Sequence, residues 1–234
     1  MKYMRINYRA TLYFNFKFLP FRQALHLPFI LYNKIQFLRT SGRVILDCDK
    51  VKCKMVQIGA HGSDMFSGSK CLIDVAGDII IHGDKIRIGY GSLVRVENQA
   101  CLEFYENSIL GARNIIFCCK NIVFHTNSLF SWDCQIMDSD THSLWNAESK
   151  EYNEITKSIV VGKNTWIGNH VIINKGTVLP EGTIVSSMSL CNKDYSEIIE
   201  EHCVIGGVPA KLLKTNMIRK SLNASFMDKK IEIK

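Results

Sequence analysis

Val161, Ile167, Ile173, Leu179 and Val185 stand six residues apart in the stretch VGKNTW-IGNHVI-INKGTV-LPEGTI-VSSMSL. Neither an α-helix, with a period of 3.6, nor a plain strand, with a period of 2, produces that spacing. A coil with three flat sides does, because each side takes one six-residue segment and turns one aliphatic side chain inward. The residues that follow the aliphatics, Gly162, Gly168, Asn174, Pro180 and Ser186, are small or turn-forming and are expected at the corners. The pattern predicts a parallel β-helix.

Upstream the same beat returns with shifts of phase. Phe104, Leu110, Ile116 and Ile122 keep it, as do Phe124, Phe130 and Ile136, and Ile88 with Val94 form a shorter run. One- or two-residue insertions between phases account for the shifts. For residues 45–105 antiparallel strands joined by turns stand as the alternative. The beat breaks after Ile136 and resumes at Val161, so residues 138–158 form an excursion from the coil. At the far end, Met217, Ile218, Leu222 and Phe226 are spaced for a short amphipathic helix over 215–227, followed by a loose tail. The expected organisation is a capping segment over 1–44, a solenoid over 45–214 and a helix with tail over 215–234.

The capping segment differs in chemistry from the rest. It is basic and aromatic, and the first acidic residue of the chain is Asp47. Arg5, Arg9, Lys17 and Arg22 interrupt its apolar runs and Pro20 and Pro28 punctuate them, so it is neither a signal peptide nor a spanning helix. Two compatible readings remain: a strand and short helix closing the open end of the solenoid, and an interfacial segment resting on anionic lipid at the inner face of the membrane.

With 29 basic and 22 acidic residues the net charge is +7, which suits an anionic ligand or a membrane surface. Zinc-finger spacing, RNP-like aromatic runs and long basic blocks are missing from the sequence, which argues against a nucleic-acid binder. The nine cysteines are scattered and no CxxC pair occurs, as for reduced, buried thiols of a cytoplasmic protein.

The segments TWIGNHVIINKGTVLPEGTIV (165–185) and VIGGVPAKLLK (204–214) resemble the hexapeptide-repeat acyltransferases, a family that includes maltose, galactoside and serine acetyltransferases. The N-terminal run LYFNFKFLPFRQALHLPFILYNK is similar to the opening of the sugar O-acetyltransferases of capsule and O-antigen synthesis. The resemblance implies an all-β, left-handed parallel β-helix, a homotrimer, acetyl-CoA as donor and a sugar hydroxyl as acceptor. It implies no metal, since the three-histidine site of the γ-class carbonic anhydrases on the same fold finds no second ligand near His142: position 147 is Ala and His125 lies seventeen residues away.

Acetyl transfer to a hydroxyl needs a general base, and imidazole suits the task at neutral pH. His142, at the mouth of the excursion, matches the family's catalytic histidine. Asp138 and Asp140 precede it by four and two residues, on the same side of an extended chain, so either could hold the ring in one tautomer, with Asp140 preferred. His26, His61, His82, His125, His170 and His202 fit structural or exposed roles better. By position in the matching segments, the resemblance puts Asn169 and Ser187 at the pantetheine arm of the donor, Asn192 and Lys193 at its distal part, and Lys211 and Lys214 at its phosphates. Trp166 either lines the donor groove or packs between coils. SSMS (186–189) replaces a glycine-rich turn found in many relatives, which narrows the approach at Ser187. Backbone N–H groups or Asn127 are the candidates for holding the oxyanion. An N-acetyltransferase of amino sugars and a non-catalytic scaffold remain as alternatives; the acceptor sugar is not encoded in any motif.

Overall fold

The six-residue beat winds into a coil. A computed structural model describes residues 5–60, 69–197 and 201–219. Among them, parallel strands stack into three faces of nine, seven and six strands, visited in turn as the chain advances (faces I, II and III). On face I, Trp166 pairs with Ile184; on face II, Ile172 pairs with Leu190; on face III, Val160 pairs with Val178. Each offset is 18 residues, three segments of six.

The five aliphatics that define the beat point inward and are at most 1% exposed. The corners, however, lie elsewhere than the sequence pattern suggests. The left-handed backbone falls three residues after each aliphatic, at Asn164, His170, Gly176, Gly182 and Met188, with φ between 56° and 75°. The residue after that turns inward as well, giving a second buried column of Thr165, Val171, Thr177, Thr183 and Ser189. Small residues are required there because each occupies the inside of a corner. Thr177 and Thr183 donate to the carbonyls of Asn174 and Pro180, so their buried hydroxyls are satisfied by the corner they fill. Gly162 and Gly168 are glycine because coils touch at these points: a Cβ on Gly168 would stand 2.6 Å from the Ser187 amide nitrogen.

The phase shift upstream has a simple origin. In the strand Asn121–Phe124 both Ile122 and Phe124 are buried, as are Ile159 and Val161 paired with them, so face III takes two large inward residues here where the next coil takes Thr177 and Leu179. Cys101–Phe104 pairs with Asn121–Phe124 at an offset of 20 residues. Phe104 stacks on Phe124 at 5.2 Å, and Phe130 meets Phe124 edge-on.

Among the described residues every strand pair from Phe29 to Phe104 is parallel, which removes the antiparallel alternative for 45–105 and starts the coil inside the expected capping segment. The cap itself is helix α1 (Tyr8–Phe18) with helix α2 (Phe21–Ala24). Asn7 caps α1 by accepting from the Ala10 amide. Phe14 plugs the open end of the coil against Phe29 at 4.7 Å, and the buried Asn15 bonds the Phe29 amide and carbonyl. At the opposite end Val204–Gly207 is the last coil strand, and Ala210–Lys214 folds back on it antiparallel. Residues 215–219 are not helical, and the remainder of the helix expected over 215–227 lies outside the described residues. All nine cysteines are free thiols and five are buried. Burial pushes the thiol of Cys134 up to about 11 and that of Cys191 to about 12.

Candidate active site

The excursion leaves the edge between faces II and III. Asp138, fully buried, begins it. One carboxylate oxygen accepts from the Cys119 amide at 2.6 Å, and the other from the amides of Lys120 and Asn121 at 2.8 Å each. The side chain thus fills the corner of the preceding coil. Antiparallel contacts then close the base of the excursion: Asp140 N donates to Ile155 O, Lys157 N to Asp138 O, and Ser139 bridges Thr156. Beyond the base, Trp145–Asn146 and Glu151–Tyr152 form a hairpin. Leu144, Trp145 and Tyr152 are exposed on it, with the Trp145 and Tyr152 rings 4.8 Å apart.

Two lysines from neighbouring coils clamp this base. Lys175 pairs with Asp140 at 2.5 Å and also donates to the Glu154 carbonyl, so it ties the outgoing and returning strands together. Lys120 donates to the Glu154 carboxylate at 2.9 Å. The positive charges of Lys120, then Lys157 and Lys175, hold the Glu154 carboxyl below its ordinary range.

His142 follows Thr141, which takes a left-handed conformation with φ 62°. Its ring is exposed, and among the described residues nothing hydrogen-bonds to it. The structure therefore brings neither carboxylate to the imidazole. Asp138 is committed to three backbone amides and Asp140 to Lys175 and, at 3.4 Å, Asn153.

The expected donor residues fall on two different edges. Asn169 and Ser187 stack on the edge between faces I and II, where the Ser187 hydroxyl donates to Asn169 at 2.6 Å. Trp166 lies nearby on the outside of face I, 40% exposed, and pairs in register with Leu129 and Ile184. Asn192 and Lys193 lie on the other edge, the one that carries His142, two coils further along; the Lys193 ammonium sits 5.5 Å from the Tyr195 ring. Lys211 and Lys214 are exposed on the final antiparallel strand of face I.

The other histidines have local partners or remain peripheral. His82 lies between Asp47 and Glu103 at 2.9 and 3.1 Å and stacks on Tyr105, which in turn meets His125. Burial, reinforced by Lys163, lowers the His125 pKa. His170 occupies a corner, His202 packs against Gly182, and His26 is exposed. His61 lies outside the described residues. Asn127 belongs to a ladder on the edge between faces III and I: Asn107 donates to Asn127, Asn127 to Asn164, and Asn164 to Glu181. That ladder and the Lys175 clamp were missed in the sequence; asparagines in phase at 107, 127 and 164 are the signal that identifies the first.

No protein-family model matches this chain. Among curated proteins, galactoside O-acetyltransferase of Escherichia coli K12 is 31% identical over 74 residues, covering 32% of this chain and 34% of its own length. WbbJ of the same strain, an O-acetyl transferase assigned to lipopolysaccharide biosynthesis, is 25% identical over 153 residues, 65% of this chain and 69% of its own. Among solved structures, the polysialic acid O-acetyltransferase OatWY superposes with a TM-score of 0.51 at 19% identity, over 83% of this chain and 95% of that one. The chain is thus similar in sequence to O-acetyltransferases. Its coil is a left-handed parallel β-helix, the fold it shares with OatWY. The chain spans about a third of the length of galactoside O-acetyltransferase and about two thirds of that of WbbJ.

Proposed function

We propose that this protein transfers an acetyl group from acetyl-CoA to a sugar hydroxyl in surface polysaccharide synthesis, capsule or O-antigen, with His142 as general base. The observation that carries the reading is the imidazole itself: exposed, unbonded, and mounted on an excursion whose base is clamped from both neighbouring coils. A base must be held in place while keeping a ring nitrogen free for the acceptor proton. As the hydroxyl attacks the thioester carbonyl, the proton passes to His142, and collapse of the tetrahedral intermediate expels the thiolate of coenzyme A, which recovers the proton. Asp140, two residues before His142, serves through its pair with Lys175, which fixes the strand that carries the imidazole. The names of WbbJ and of a polysialic acid O-acetyltransferase among the relatives support a glycan acceptor.

Trp166, Asn169 and Ser187 suit the pantetheine arm, and Lys211 and Lys214 the phosphates, since they are accessible on one side of the coil. Face II separates Asn169 and Ser187 from His142 within one chain, so a complete site requires a second copy whose II–III edge meets this I–II edge. Leu93, Ile115 and Ile172 on the outside of face II, in one column with Gln135 between the last two, give such an assembly apolar surface, and a homotrimer closes it. We place the enzyme in the cytoplasm, with its N-terminal segment at the inner face of the membrane.

The deciding experiment titrates acetyl-CoA calorimetrically into the wild type and into His142→Ala, beside a thiol-release assay over a panel of sugars. Donor binding by both proteins with turnover by the wild type alone is the expected result. Failure of both to bind the donor would sink the transferase reading in favour of a scaffold. Turnover on amino sugars alone would make it an N-acetyltransferase.

A further inference from the structure

The cap that closes the coil has an outer face, and its composition is unusual for a solvated surface. Helix α1 turns Ala10, Thr11, Phe14 and Asn15 toward the coil. Two residues advance an α-helix by about 200°, so Leu12 and Phe16 lie across the helix from Phe14, pointing away from the coil. They are 49% and 43% exposed. Tyr8, Phe21 and Leu25 extend the patch at 71%, 68% and 60%, and the Phe16 and Phe21 rings meet at 5.8 Å. A contiguous group of large apolar side chains on a surface marks an interaction site, in contrast to the isolated leucine that any protein exposes.

The charge around the patch selects the occupant. Arg5, Arg9, Lys17 and Arg22 are exposed at its borders, and no carboxylate precedes Asp47. A second copy docking face to face would bring eight cations together with no counter-charge. An anionic lipid surface supplies both what the apolar centre and what the basic rim require. We propose that α1 and α2 form a membrane-docking face, on which the coil stands with its N-terminal end in the headgroup layer.

This orientation sets the height of the site, on the reading of His142 given above. In the strand order of face I, the strand Leu129–Phe130, in the coil that carries the excursion, is four steps from Phe29–Leu31. At about 4.8 Å per step that is roughly 19 Å, and the helical layer beneath adds about 10 Å. An acceptor reached from this position is a sugar well out along a lipid-linked glycan, on the order of 30 Å from the bilayer, rather than the sugar attached to the lipid.

Co-sedimentation of the full chain with vesicles tests the docking face, using phosphatidylcholine alone and phosphatidylcholine mixed with phosphatidylglycerol. The wild type is expected to bind the mixed vesicles far more strongly. Arg9→Gln with Arg22→Gln should lower that partitioning about 25-fold, from roughly fivefold per basic residue. Phe16→Ser, Phe21→Ser and Leu25→Ser combined should lower it roughly a hundredfold, with circular dichroism unchanged because all three side chains are on the surface. His142→Ala should bind as the wild type does, so the outcome is independent of acyl transfer. Protein left in the supernatant with both vesicle types overturns the proposal. So does equal binding to neutral vesicles that is indifferent to the arginine changes, or self-association that the serine changes abolish.

Discussion

Replacing Asp138 separates two roles that the sequence leaves entangled. In the structure its carboxylate takes three backbone N–H groups, at 2.6, 2.8 and 2.8 Å, from the corner 119–121. Asp138→Ala leaves all three donors without a partner at a site where the side chain itself was fully buried. Each unsatisfied amide costs about 1–3 kcal/mol. Because the donors are only partly buried and water will reach some of them, the low half of that range applies, for a total of about 3–6 kcal/mol. For a domain of this size each kcal/mol moves Tm by about 2–4 °C, so the expected loss is roughly 6–24 °C. Asp138→Asn keeps one oxygen acceptor and should fall between alanine and the wild type. Thermal unfolding followed by circular dichroism measures all three proteins. If Asp138 served instead to orient the His142 ring, both variants would unfold within about 1 kcal/mol of the wild type while turnover collapsed. That result would refute the assignment of this carboxylate to the coil corner.

Gly168→Ala places a Cβ 2.6 Å from the Ser187 amide and 2.8 Å from its hydroxyl; it should push apart the edge that holds Asn169 and Ser187 and weaken acetyl-CoA binding at least tenfold by calorimetry, with the fold retained. Arg39 bridges Asp74 and Glu97 on face II. Burial would raise the Asp74 carboxyl, but the hydrogen bonds and charge of Arg39, with Arg95, outweigh it and hold it low, while Arg39 also lowers Glu97. Carboxyls depressed in the folded state contribute stability above their unfolded pKa of about 4 and lose it as pH falls through the folded value; Arg39→Met should therefore cost about 1 kcal/mol at pH 7, given its exposed side chain, and nothing at pH ~2, by denaturant titration at both pH values. Lys175→Met removes one half-buried ion pair and the bond to the Glu154 carbonyl, together worth about 1 kcal/mol, yet should lower kcat several-fold with donor affinity unchanged, because it loosens the base beneath His142; Lys175→Arg should recover most of the loss.

The coil was legible because its period is fixed by geometry. Every residue that marked the beat, from Ile88 to Val185, is buried. The second inward column escaped because Thr165, Thr177, Thr183 and Ser189 are polar and a search for apolar repeats passes over them. The hydroxyls of Thr177 and Thr183 bond the carbonyls of their own corners and that of Ser189 accepts from the Gly207 amide, so polarity at those positions is compatible with burial. The corner itself was displaced in the sequence reading for a related reason. Gly162 and Gly168 look like turn residues but are small to admit the next coil, while His170 and Met188 adopt the left-handed turn without any glycine. Side-chain identity at a corner is a weak guide when stacking, rather than the dihedral, imposes the constraint.

The break in the beat was legible, but the geometry around it was not. The structure places the excursion at that break with His142 exposed on it, and its role as base is the proposal made above. Alternation along an extended strand put Asp138, Asp140 and His142 on one side. The alternation fails because the chain does not stay extended: Asp138 still belongs to the corner of the coil, Asp140 to the antiparallel base, and Thr141 turns left-handed between Asp140 and His142. Each residue thus faces a different neighbour. The arrangement has a mechanical logic, since three amides and two lysines immobilise the base of the excursion while the imidazole is left without an intramolecular partner. A histidine already bonded on both nitrogens, as His82 is between Asp47 and Glu103, has no nitrogen left for an acceptor. Among the described residues nothing bonds His142, and in its proposed role as general base the clamped strands beneath it limit the orientational freedom it must give up before proton transfer.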